Sequence, residues 1–132
     1  MEDNHINDDR TRRFVAGLRK FEQEPDTRPE FVAMFTDDAT AERLDARGER
    51  HEVNKFWEEY RAQFSEIRTT FFNAVEGTDQ VSLEWESQAT LTGGREITYR
   101  GVTNLDYDGD LVSHVRTYYD TAAFLQLSPS TA

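Results

Sequence analysis

The run Val81-Ser82-Leu83-Glu84-Trp85-Glu86-Ser87-Gln88-Ala89-Thr90-Leu91 constrains this chain more than any other. Its period of two places Val81, Leu83, Trp85, Ala89 and Leu91 on one face of an extended strand and Glu84 and Glu86 on the other. Such a strand belongs to a sheet covered on one side only. Three further runs read the same way: Ile67 to Val75, Glu96 to Tyr107 and Leu111 to Tyr119, with EGTD, TGGR and DG as the turn signals between them. Four consecutive strands with short turns predict an antiparallel meander. Glu84 and Glu86 have the spacing of a catalytic carboxylate pair, but their side of the strand makes them solvated residues of an outer face.

The covering layer has to come from the N-terminal half. From Thr11 the spacing of Phe14, Val15, Leu18 and Phe21 predicts an amphipathic helix that stops before Pro25. Asp26-Thr27-Arg28-Pro29 supplies a cap and a first-turn proline for a second helix that buries Phe31, Val32, Met34 and Phe35. Thr40 to Leu44 predicts a short strand, followed by a charged loop through Gly48. A third helix over Glu52 to Phe64 carries Val53, Phe56, Trp57, Tyr60 and Phe64 as one stripe. Residues 121–127 predict a short helical tail, and residues 1–9 a frayed, polar start. The expected class is α+β, one domain over 1–132 with helices gathered on one face of a curved sheet.

Charge and composition narrow the function classes. A net charge of -11 opposes the electrostatics of binding nucleic acid or an anionic membrane, so neither is an expected partner. The chain has no cysteine, which removes thiolate ligands and cysteine nucleophiles. His5, His51 and His114 lack any short ligand spacing, so no metal is expected, and no phosphate loop or nucleophile elbow points to another cofactor. With no apolar leader or spanning segment, a cytoplasmic location is expected.

The last strand raises the functional question, because His114, Arg116, Tyr118 and Asp120 occupy every second position of one face. In the preceding strand the inner set is Ile97, Tyr99, Gly101, Thr103, Leu105 and Tyr107, provided the TGGR loop holds three residues. A two-residue turn centred on Asp108-Gly109 then pairs Tyr107 with Asp110, Thr103 with His114 and Gly101 with Arg116, and turns the polar set inward. A one-residue slip turns it outward and puts Ser113, Val115, Thr117 and Tyr119 inside instead. In the inward register Gly101 leaves room beside Arg116, while Trp85, Tyr99 and Tyr118 form flat pocket walls. An ionisable group there would be partly desolvated and shifted in pKa.

The element order, 35-FTDDATAE-42, 56-FW-57, Trp85, the Asp-Gly before the last strand and the closing Tyr-Tyr-Asp with TAAF together resemble the nuclear-transport-factor-2-like superfamily, in particular its SnoaL-like, polyketide-cyclase-like branch. The likeness spans roughly residues 10 to 127. It implies a cone-shaped fold, three N-terminal helices packed in a strongly bent, mainly antiparallel sheet, with a pocket at the open end and a homodimer formed through sheet faces. It also implies a small apolar carbonyl compound as ligand. Two readings follow: an acid/base enzyme of cyclase, isomerase or dehydratase type, or a non-catalytic binding or interaction module. For the first, His114 or Asp120 is the candidate acid/base, Arg116 the electrostatic partner of a developing oxyanion, and Trp85, Tyr99, Thr103, Tyr118, Arg43, Trp57 and Tyr60 the ligand-binding set. Arg43 stands where ketosteroid isomerases resembling this chain carry their base, Thr103 near their oxyanion-hole acid, and Thr117 nearest one aspartate of the related epoxide hydrolases. In the duller alternative Arg43, Trp57 and Tyr60 plug the opening themselves.

Overall fold

Asp8 starts the first helix by accepting hydrogen bonds from the backbone N–H groups of Arg10 (2.8 Å) and Thr11 (3.3 Å), which satisfies donors that a helix N-terminus leaves unpaired. The computed structural model describes residues 6–43 and 49–125. Helix α1 (Asp9–Gln23) buries Phe14, Val15, Leu18 and Phe21 and ends before a 3-10 turn, Pro25–Thr27. Residues 6–8 are not frayed: Ile6 is fully buried, and the Glu76 carboxylate accepts from the backbone N–H groups of Asn7 (3.0 Å) and Asp8 (2.7 Å).

Helix α2 is only Arg28–Val32, because Phe35 already begins strand β1 (Phe35–Arg43). Two residues, His51–Glu52, form a strand β2 that the sequence pattern did not reveal. The Glu52 side chain caps α3 (Val53–Ala62). Then come β3 (Phe64–Glu76), β4 (Gln80–Leu91), β5 (Glu96–Asp108), β6 (Leu111–Tyr119) and a closing 3-10 turn, Thr121–Phe124. The expected loop over 45–48, with Leu44, and the last two residues of the expected tail, 126 and 127, lie outside the described residues.

The six strands form one sheet in the order β2-β1-β6-β5-β4-β3. The expected meander is its β3–β6 part; β1 joins the free edge of β6 in parallel. Three helices pack on the inner face, with Phe14, Phe21, Phe31, Phe35 and Trp57 in mutual ring contact, the Phe31 and Trp57 centroids 5.0 Å apart and those of Phe21 and Phe31 5.5 Å. Burying each such ring contributes roughly 1.5–3 kcal/mol. Three helices against one six-stranded mixed sheet that does not close on itself is the α+β arrangement that the resemblance implies.

Strand β4 faces as its alternation requires, with Val81, Leu83, Trp85 and Ala89 buried. The three-residue loop is also present: Leu91 N–H donates to Arg95 O (2.8 Å), and Gly94 takes the positive φ of 96° that such a loop needs. The last hairpin departs from expectation twice. Its two loop residues are Gly109 and Asp110, not Asp108 and Gly109, because Asp108 pairs with Leu111. Gly109 has φ 61° and no described non-glycine residue has a positive φ, which is the II′ pattern rather than I′.

A two-residue displacement would keep every face as expected, and Val112, opposite Tyr107, does point inward. The register then shifts by one residue between the Tyr107–Val112 and Asp106–His114 pairs, with Ser113 the extra residue and its hydroxyl donating to Asp106 O (3.2 Å). Such a bulge reverses every later side chain. Thr117 now lies opposite Thr103, Arg116 opposite Asn104 and Tyr119 opposite Gly101. Gly101 thus makes room for Trp85, not for Arg116: a Cβ there would meet Trp85 Cζ2 at 2.5 Å and Tyr118 O at 2.5 Å. Gly101→Ala should therefore cost about 1–3 kcal/mol, the usual penalty for overpacking, read as a lower urea midpoint at unchanged slope. A midpoint equal to wild type would mean that the Trp85 ring has slack to yield.

Candidate functional site

Where the helices lean away from the inner face of the sheet, an apolar cavity remains. Phe14 and Leu18 of α1, Trp57 and Tyr60 of α3, Trp85, Tyr99, Thr103, Thr117 and Tyr119 of the strands, Arg43 at the end of β1 and Phe124 of the closing turn line it. Its volume is about 40 Å³. Six of the seven expected ligand-binding residues, Arg43, Trp57, Tyr60, Trp85, Tyr99 and Thr103, meet around it. Tyr118 does not; it is 36% exposed on the outer face.

The expected catalytic set is also elsewhere. His114 and Arg116 lie on the outer face because the Ser113 bulge turned them there. His114 Nε2 stands 2.8 Å from Glu42 Oε1, without hydrogen-bonding geometry to it or to another described residue, and its Nδ1 is 3.7 Å from Asp106 Oδ2. Arg116 Nη1 donates to the same Asp106 oxygen at 3.3 Å. Asp120 is exposed, and its side chain accepts from Ala122 N–H (3.0 Å) as the cap of the closing turn. In their place β6 brings Thr117 and Tyr119 to the cavity. Arg43, Thr103 and Thr117, the positions that the resemblance sets nearest the carboxylates of ketosteroid isomerases and epoxide hydrolases, line the cavity, and none of them is a carboxylate.

The cavity holds polar groups in a few places. Trp85 Nε1–H donates to Thr103 Oγ1 (2.8 Å), which is 3.1 Å from Thr117 Oγ1. The Arg43 guanidinium sits 5.1 Å from the Phe56 ring centre and 4.0 Å from a Glu59 oxygen. Trp57 Nε1 is buried with no hydrogen-bond partner among the described residues, a state that costs about 1–3 kcal/mol.

One functional group escaped the sequence reading. Glu22 is 1% exposed, and its carboxylate accepts from the Tyr60 hydroxyl (2.5 Å), the Thr69 hydroxyl (2.6 Å) and Thr69 N–H (3.0 Å). Thr69 Oγ1 is 2.6 Å from Ser87 Oγ, and either can donate. Tyr60, Thr69 and Ser87 all line the cavity. Two signals in the sequence mark this group. Glu22 follows Val15 by seven residues and Leu18 by four, so it falls on the buried stripe of α1. Ser87 occupies an inner position of β4 between Trp85 and Ala89.

Burial pushes the Glu22 carboxyl up, against the hydrogen bonds from Thr69 and Tyr60 and the charge of Arg61, which pull it down. Burial and then the Glu22 charge hold the Tyr60 hydroxyl well above its usual range, and burial followed by Tyr119 does the same for Tyr99. With its folded pKa above its unfolded one, Glu22 binds more protons in the native state. Its contribution is therefore most favourable at low pH and is lost as pH rises from the unfolded pKa through the raised one. Relative to Glu22→Gln, wild type should lose stability over that window, measured by urea unfolding at several pH values; a constant difference would show an unshifted carboxyl.

Among the described residues no group of His, Asp and Glu suits a metal ion, and no helix is long and apolar enough to cross a membrane. His5 lies outside the described residues. The SnoaL-like domain pattern matches residues 10–115. No curated protein matches the chain. Among solved structures, a nuclear-transport-factor-2-like protein from Anabaena variabilis ATCC 29413 shares 15% identity at TM-score 0.74, covering 92% of each chain. A putative SnoaL-like polyketide cyclase from Jannaschia sp. CCS1 shares 13% at TM-score 0.73, covering 87% of this chain and 88% of that one. The Delta 5-3-ketosteroid isomerase from Mycobacterium sp. shares 17% at TM-score 0.68, covering 86% and 95%. At these identities the structures speak to the fold alone, which is nuclear-transport-factor-2-like, while the domain pattern covers most of the chain: this protein belongs to the SnoaL-like domain family.

Proposed function

We propose that the protein holds a small, mostly apolar carbonyl compound in the cone cavity and promotes proton transfer on it, chemistry of the cyclase, isomerase or dehydratase type. The observation that carries this reading is that Trp57, whose side chain lines the cavity, keeps a buried Nε1–H with no partner among the described residues. A buried donor without a partner is expensive, and a ligand carbonyl oxygen is the acceptor that would complete it. Aromatic walls from Trp85, Tyr99 and Tyr119 suit a flat molecule, and the Thr103–Thr117 hydroxyl pair offers a second polar contact. Acid/base duty falls to the hydroxyl groups around Tyr60, since His114, Arg116 and Asp120 stand away from the cavity.

At about 40 Å³ the cavity is well below the roughly 150 Å³ of a protein cavity that takes up benzene, so a ring-sized ligand has to displace a side chain. Phe124 is the one to move. It sits on the closing turn, 4.8 Å from the Tyr99 ring centre, and Arg95 Nη2 donates to its carbonyl at 2.7 Å. The filled cavity also favours the second reading, a binding or interaction module without turnover. For that reading the outer face matters, where Thr98, Arg100, Val102 and Asn104 of β5 lie beside exposed Phe72 and Tyr118. A homodimer through this face would give twice the chain mass in solution.

Trp57→Phe should weaken binding of the ketone 1-indanone by about 2–10-fold, the effect of one hydrogen bond, and leave binding of the hydrocarbon indane unchanged, by titration calorimetry. Equal losses for both ligands would remove Trp57 as the carbonyl donor. Phe124→Ala should tighten both ligands by vacating the ring seat. If neither ligand binds wild type or Phe124→Ala, the cavity reading is wrong.

A further inference from the structure

We propose that Glu22 is the proton acceptor of the cavity, reached from a bound enol or phenol through the hydroxyls of Ser87 and Thr69. The inference rests on the reading that the cavity takes a carbonyl compound, whose enol form presents the O–H in question. It stands on geometry: a carboxylate at 1% exposure, a hydroxyl at 2.6 Å, and a second hydroxyl 2.6 Å further on. Thr69 and Ser87 line the cavity, so the chain of hydroxyls begins where a ligand would sit.

The step balances without a further reactant. The ligand hydroxyl proton passes to Ser87 Oγ, the Ser87 proton to Thr69 Oγ1, and the Thr69 proton to Glu22 Oε2. Each hydroxyl gains one proton and loses one, the ligand becomes an enolate or phenolate, and Glu22 becomes a neutral acid. The single negative charge moves from Glu22 to the ligand oxygen, so no additional charge is created in the low-dielectric interior. The Thr69–Ser87 contact allows either oxygen to donate, which the reversal of direction requires. Tyr60, donating to the same Oε2, keeps the carboxylate in place before the transfer.

A buried carboxylate is often a structural tie and no more. What argues for exchange is where its partners stand. The groups facing Glu22 are Tyr60 and Arg61 from α3, Thr69 from β3 and Tyr99 from β5. Arg61 is the cation in that set, and its Nε donates to the Glu22 backbone carbonyl, not to the carboxylate. The hydrogen bonds to the carboxylate therefore come from hydroxyl and amide donors, and two of the three hydroxyls in the network, Tyr60 and Thr69, touch it directly. Burial raises the proton affinity of the carboxylate against the Thr69 and Tyr60 hydrogen bonds and the Arg61 charge, the direction that a base of this type needs.

The probe is 4-nitrophenol, whose two protonation states differ in colour, added to the full chain with its glutamate side-chain carboxyls labelled with carbon-13. At a pH where free Glu22 is ionised, binding should move the Glu22 carboxyl resonance toward the acid position while the bound probe shows the phenolate band. Ser87→Ala should keep binding but cut the phenolate fraction of bound probe about tenfold or more, the loss of a hydrogen bond to a charged oxygen. Glu22→Gln, if it folds, should bind only the neutral phenol. Probe bound as the neutral phenol with Glu22 still ionised in wild type would overturn the proposal and leave the cavity reading intact. No binding, with no shift of any cavity resonance, would overturn both.

Discussion

The Glu22 carboxylate joins the helix and sheet layers by something more specific than apolar contact. It accepts a hydrogen bond from the Tyr60 hydroxyl of α3 and two from Thr69 of β3, while its own helix supplies the backbone carbonyl to which Arg61 donates at 2.9 Å. Aromatic packing around Phe31 and Trp57 tolerates small slides between elements; a carboxylate with three fixed donors does not. Removing any donor leaves a buried charge short of partners, which is costly in a low-dielectric interior. This one residue ties Tyr60 of α3 to Thr69 of β3, both of which line the cavity.

The second constraint is a single extra residue. Ser113 interrupts the pairing of β5 and β6, and every side chain beyond it changes face. Val115, Thr117 and Tyr119 point to the core side, and His114, Arg116 and Tyr118 face outward. The cavity wall on β6 is consequently uncharged, and the charged residues of that strand are used on the outer face, where Asp106 meets both His114 and Arg116. Parallel pairing with β1 then places Glu42 beside His114. A strand rich in chemically capable side chains thus contributes threonine and tyrosine to the cavity and exports its histidine.

Much of the candidate site was legible in residue types and much less in residue roles. Trp57 and Tyr60 reach the cavity because the α3 stripe that buries Phe56 and Trp57 also turns Tyr60 toward the sheet, and that stripe is visible as a helical period. Trp85, Tyr99 and Thr103 were assigned from strand alternation, which holds over β4 and β5 because their ladder is unbroken from Gln80–Asp106 to Thr90–Glu96. Glu22 sat in plain view on the apolar stripe of α1, yet its partners are 38 and 47 residues away, so nothing local announced it.

Period, turn chemistry and composition determined the class of structure: three helices, a four-strand meander and one covered face. These are local properties, set by which side chains must leave water along each element. Only the tertiary structure decided which face of β6 looks inward, since a bulge costs one residue and leaves no mark in an alternating pattern. It alone placed β1 against β6, and brought Glu22, Tyr60, Thr69 and Ser87 into one hydrogen-bonded chain. Long-range register and the satisfaction of buried polar groups are settled by geometry between distant segments, and that geometry moved the candidate acid/base group from the last strand to the first helix.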